Sequence, residues 1–92
     1  MIEDLYHIFE ETKKKVKDRG VKLIDDAIAI RRIQSISTDG WKTEYFSLLL
    51  SENPIVCLYT DGRIYVCFCG EDLLLDLKDE AVREIHSILE GW

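Results

Sequence analysis

Residues 29–69 read AIRRIQSISTDGWKTEYFSLLLSENPIVCLYTDGRIYVCFC and hold two Asp-Gly pairs, Asp39-Gly40 and Asp61-Gly62, each between β-rich segments. Asp-Gly suits the positive φ angles of a two-residue hairpin turn, so both pairs predict hairpins. The break at Glu52-Asn53-Pro54 joins one hairpin to the next. The stretch therefore predicts an antiparallel meander of four strands: Ala29 to Ser37, Trp41 to Leu50, Ile55 to Thr60 and Arg63 to Cys69. Leu73 to Leu77 offers a short fifth strand. Ile30, Ile33 and Ile36 are also three residues apart, and Asp25 or Asp26 is placed to cap a helix there. The strand reading is preferred, since Trp41 to Leu50 needs a hairpin partner.

Outward from the meander, both flanks read as helices. Ile2, Leu5, Phe9, Thr12 and Val16 recur at helical spacing, acids precede lysines, and Gly20 follows at a stop position. A helix is predicted from Ile2 to Arg19. A second follows Asp79 as N-cap, with Val82, Ile85, Ile88 and Leu89 on one stripe. The fold class is α+β: two layers, a four- to five-stranded antiparallel meander with both terminal helices on one face, in a single domain over residues 1–92.

Two-residue loops assign the faces, because residues directly opposite across an antiparallel pair project to the same side. They place Ile33, Phe46, Leu48, Leu50, Ile55, Cys57, Tyr59, Ile64, Val66 and Phe68 on the core side. The other side then carries Ile30, Arg32, Gln34, Ile36, Trp41, Tyr45, Ser47, Leu49, Val56, Leu58, Thr60, Arg63, Tyr65, Cys67 and Cys69. Two helices cover one side of such a sheet and not both, so this second side is expected to be open. Tyr45, Leu49, Val56, Leu58, Arg63 and Tyr65 form the candidate interaction surface, with aromatics and arginine around an aliphatic centre. On this reading Leu58→Asp frees a monomer without unfolding it.

Composition bounds the rest. An apolar share of 47% with one proline is that of a folded chain, and no apolar run reaches the roughly 18 residues that span a bilayer. The opening Met1-Ile2-Glu3-Asp4 lacks the basic and apolar segments of a signal peptide, and three cysteines are an odd number for a disulfide framework. The expectation is a cytoplasmic chain that meets no membrane. Charge is unevenly placed: Lys13 to Arg32 holds eight basic and three acidic residues, or +5, which against a total of −6 leaves −11 elsewhere.

No motif points to catalysis. Phosphate-cradling glycine loops and nucleophile elbows are absent. Cys67 and Cys69 alternate onto one strand face with Cys57 on the other, and no second ligand pair stands at zinc spacing. His7 falls off the apolar stripe, and His86 lies at a stripe edge where helix and sheet can meet, but a strand cysteine there has no helix N-terminus or basic neighbour in sequence to lower its pKa. The expectations are no catalytic residue, no metal ligand and no cofactor. The leading functional reading is a non-catalytic interaction module, a small regulator, inhibitor or accessory protein, docking a protein partner or a second copy of itself through the open face. The first alternative is single-stranded nucleic-acid binding on the same face, through Tyr45, Tyr65 and the arginines with the Lys13 to Lys17 run adding charge, although the acidic total disfavours it. A second is weak calcium binding by the acidic cluster from Glu71 to Glu80, which capping of the last helix also explains.

Overall fold

The computed structural model describes residues 2–92, with side chains from residue 3. Helix α1 runs Ile2–Arg19, a 3₁₀ turn Gly20–Lys22 and a short helix α2 Leu23–Asp26 follow, and five strands come next: β1 Ala29–Ser37, β2 Gly40–Glu52, β3 Ile55–Tyr59, β4 Arg63–Phe68 and β5 Glu71–Asp76. Helix α3, Glu80–Glu90, comes last. The strands lie in chain order in one antiparallel sheet. Residues 29–37 are thus strand, and the fifth strand begins two residues earlier than Leu73.

Both long helices end where local chemistry requires. Glu3 and Asp4 sit in the first turn of α1 and Lys17 and Arg19 in its last, matching the macrodipole, and Gly20 at φ +56 breaks the helix. The Asp79 carboxylate accepts the Ala81 N–H at 2.9 Å and so caps α3. The buried stripes are Leu5, Phe9, Thr12 and Val16 on α1 and Val82, Ile85 and Leu89 on α3. They meet Phe46, Leu48, Val56, Leu58, Ile64 and Val66 in one core, so both helices lie on the same side of the sheet.

The pairing differs from the expected register at all three turns, although the first two loops still hold two residues. The first loop is Thr38-Asp39, closed by Ser37 opposite Gly40, and Glu44 bulges out between the pairs Gln34 with Thr43 and Ile33 with Tyr45. The turn after β2 is Asn53-Pro54, with a cis peptide between them, and β2 bulges at Leu50. The last Asp-Gly sits in a three-residue loop, Thr60 to Gly62, in which Gly62 at φ +100 donates its N–H to the Tyr59 carbonyl at 3.0 Å. Within the body of the sheet each turn, together with the bulge beside it where there is one, moves the pairing by one residue, and a one-residue slip sends a strand's side chains to the other face.

Val56 and Leu58 therefore belong to the core, 4% and 0% exposed, and leave the candidate interaction surface. Ile55, Cys57 and Tyr59 take their place on the outer side. In β1 the same inversion sends Ile30 and Arg32 to the helix side, opposite Leu48 and Phe46, and Ile33 outward opposite Tyr45. From Tyr45 to Leu49 on β2, and on β4, the faces stay as expected, because the two slips across β3 cancel; beyond the Glu44 bulge Trp41 and its partner Ile36 turn to the helix side instead of the outer one.

The sheet is wider than its core. β3 pairs with β2 only over Ser47 to Glu52, so the hairpin beyond Phe46 is a two-stranded arm. Ile36 and Trp41, directly opposite one another on that arm, are 67% and 68% exposed. The molecule is 44 Å long, and its radius of gyration, 13.5 Å, exceeds the roughly 12 Å of a compact chain of this length.

Candidate functional site

The outer side of the sheet is built in rows of directly paired residues. One row is Leu49, Cys57, Tyr65 and Leu74 across β2 to β5; the next is Ser47, Tyr59, Arg63 and Asp76. Tyr45, Leu49, Arg63 and Tyr65 thus share the outer side as expected, each half-buried against its neighbours. The expected register puts Tyr59, Cys57 and Ile55 on the core side and gives Leu74, which stands opposite Tyr65, no face. Ile55 and Leu74 are the exposed aliphatics of this side, at 40% and 48%.

Arg63 organises one end of it. Its guanidinium lies 5.3 Å from the Tyr45 ring centre and 5.0 Å from that of Tyr59, and those two rings meet edge to face at 5.6 Å. Asp61, on the turn before β4, holds the same guanidinium at 2.7 Å. Its hydrogen bond is the main reason the arginine's pKa rises. Burial pushes up both the Tyr59 hydroxyl and the Cys57 thiol, the latter opposed by a hydrogen bond with Ser47. A thiol with a raised pKa is a poor nucleophile at neutral pH.

Tyr65 donates its hydroxyl to Asp72 at 3.2 Å. A hydrogen bond with Cys67, then burial, then Asp72 push its pKa up to about 12. Because the folded value lies above the ordinary tyrosine value near 10, the folded chain holds this proton more tightly than the unfolded one. That stabilisation is complete below about pH 10 and is lost as pH rises toward 12. Urea midpoints measured across this window are expected to fall more steeply for the wild type than for Tyr65→Phe; equal slopes would remove Tyr65 from the account.

The cysteines are not arranged as the alternation implied. Cys57 and Cys67 share the outer side on adjacent strands, while Cys69 lies past the end of β4, in the turn, at φ +53. All three are free thiols, and among the described residues no three His, Cys, Asp or Glu side chains gather to hold a metal ion. The acidic cluster is divided among separate tasks: Asp72 accepts from Tyr65, Asp79 caps α3 and Glu80 stands 3.9 Å from Arg83. The lysines of α1 lie on the helix side, so the sheet separates them from the tyrosines, and Arg63 is already engaged by Asp61.

A second feature lies on the helix side, in a cleft of about 580 Å³ between α3 and the Thr60 to Gly62 turn. The Thr60 hydroxyl oxygen accepts the Phe46 N–H at 2.8 Å and lies 2.7 Å from His86 Nδ1. His86 Nε2 is 2.5 Å from Glu90 Oε1, and the imidazole edge rests on Phe46 with centroids 5.4 Å apart. Only the neutral tautomer with its proton on Nε2 lets Thr60 donate to Nδ1 while Nε2 donates to Glu90. Hydroxyl, imidazole and carboxylate stand in the order of a nucleophilic triad. Thr60 is however only 8% exposed, and its oxygen is held between the Phe46 amide and the imidazole. The chain of bonds is a strut from α3 to β2, and His86 pairs with no cysteine. His7 meets Glu11 at 3.0 Å on the exposed side of α1.

No protein-family model matches this chain, and neither a curated protein nor a solved structure does. No helix among the described residues is long and apolar enough to cross a membrane.

Proposed function

We propose that the chain is a non-catalytic interaction module, a small cytoplasmic regulator, inhibitor or accessory protein, that docks a protein partner on the outer side of its sheet. One observation carries this reading: both long helices cover the same side, leaving Ile55, Leu74 and the stack of Tyr45, Arg63 and Tyr59 without cover from the chain itself. Aromatics and an arginine beside exposed aliphatics have the make-up of an interface centre. Arg63, locked by Asp61 and two rings, is pre-ordered, so a partner would lose little side-chain entropy in meeting it. Three free thiols fit a reducing compartment.

The test compares three baits in extract of the parent cell: wild type, Leu49→Glu with Leu74→Glu, and Ile36→Glu on the arm. The expected result is a protein retained by wild type and by the arm variant but lost by the outer-side variant, with direct one-to-one binding reproduced from purified components. Retention that ignores Leu49→Glu with Leu74→Glu, in a variant that melts like wild type, overturns the reading.

A further inference from the structure

β1 is an edge strand with β2 as its only strand neighbour among the described residues. Its nine residues include no proline and no lysine, and seven of them are exposed. Such an edge presents unpaired backbone donors and acceptors that native proteins usually blunt. The opposite edge is blunted: β5 carries Glu71, Asp72 and Asp76, which would repel a second β5.

Within one copy Ile30 packs against the core and Ile33 is half-buried opposite Tyr45, but Ile36 has no cover. Strand alternation sends Ile30 and Ile36 to the helix side and Ile33 to the outer side, and Ile36 is left 67% exposed. The isoleucine spacing is, however, symmetric about Ile33. We infer that β1 pairs antiparallel with β1 of a second copy across a twofold axis through Ile33, joining the two sheets into one.

Opposite residues in an antiparallel pair share a side, so Ile30 meets the second copy's Ile36 and Ile33 meets its own counterpart. Within each copy Ile30, Ile33 and Ile36 already face Leu48, Tyr45 and Trp41 on β2. Each helix-side row then runs unbroken through Leu48, Ile30, the second copy's Ile36 and the second copy's Trp41, covering the most exposed part of the arm. The same register sets Arg31 opposite Ser35 and Arg32 opposite Gln34. Ser35 donates its hydroxyl to Glu44 at 2.5 Å, so Arg31 comes within reach of the second copy's Glu44, an opposite-charge contact formed twice. Centring the axis on Arg32 would oppose arginine to arginine, and centring it on Gln34 would part the isoleucines.

Nine paired residues make a strip about 30 Å long, at the small end for specific interfaces, so the dimer should be reversible. This edge is distinct from the outer side, and the inference stands apart from the docking proposed there.

Sedimentation velocity of the full chain over a concentration series tests it. The mass is expected to climb from 10.7 kDa toward twice that and stop. Ile33→Lys sets lysine against lysine at the axis and should weaken the dimer by roughly tenfold or more, with melting unchanged. Arg31→Glu should weaken it as well, and Arg31→Glu with Glu44→Arg should restore it, an arm that decides the matter even if Ile33→Lys misfolds. A wild type that stays monomeric to its solubility limit, a dimer indifferent to these changes, or growth past the dimer by pairing of β1 with the next copy's β5 overturns the inference.

Discussion

Leu58→Asp is expected to abolish cooperative folding. Leu58 is fully buried in the middle strand of five, directly between Leu48 and Ile64, with both helices above the same side. Truncation to alanine alone should cost about 2–5 kcal/mol. Small domains of this kind unfold with roughly 5–15 kcal/mol in all. A carboxylate in that position adds the cost of burying a charge or of holding it protonated, and the surrounding leucines, isoleucines and valines supply no partner. Leu49→Asp, one residue along β2 from Leu58's partner and on the other side of the sheet, should cost a small fraction of this, since Leu49 is only half-buried. Circular dichroism melts of the two variants separate the outcomes. A Leu58→Asp chain that melts with wild-type cooperativity would mean that β3 presents the opposite residues to the core.

That contrast marks where the sequence was legible. The helices announced themselves through their own neighbours in the chain: Asp79 at the cap, Gly20 at the stop, and apolar residues at helical spacing. The meander was legible for a similar reason, because Asp-Gly needs positive φ and marks a turn wherever it falls. What Asp-Gly does not state is whether glycine is the second residue of a two-residue loop or the last of a three-residue one. At Asp61-Gly62 the chain takes the longer loop, and at Asp39-Gly40 the loop moves one residue toward Thr38. Glu44 and Leu50 bulge out of β2 with no glycine to signal it. Since strand parity is binary, each of these small local choices decides which half of a strand faces water. Tyr45, Leu49, Arg63 and Tyr65 were placed correctly because the errors on either side of β3 compensate, and Val56 and Leu58 were misplaced because β3 itself absorbs both. The alternation of Val56 and Leu58 against Cys57 and Tyr59 held the missing hint, with the pure aliphatics on the core side.

Thr60→Val is expected to destabilise the fold by about 1–3 kcal/mol although it preserves shape, because it leaves buried polar groups unpaired. The Phe46 amide, in a residue only 3% exposed, has the Thr60 oxygen as its acceptor at 2.8 Å. Removing the hydroxyl also strips His86 Nδ1 of its partner at 2.7 Å. Thr60→Ser keeps both bonds and should stay near wild type, losing only the packing of one methyl group. Because the two partners share one network, Thr60→Val and His86→Ala should not add: the double variant should lose less than the sum of the single losses, by about 0.5 kcal/mol or more. Urea unfolding with an unchanged slope measures all four chains. Thr60→Val at wild-type stability, or strict additivity with His86→Ala, would show that α3 is held to the sheet by its apolar stripe alone. In that case the hydroxyl, imidazole and carboxylate beside the cleft would have no structural reason to stand in line, and the cleft would become the first place to look for chemistry.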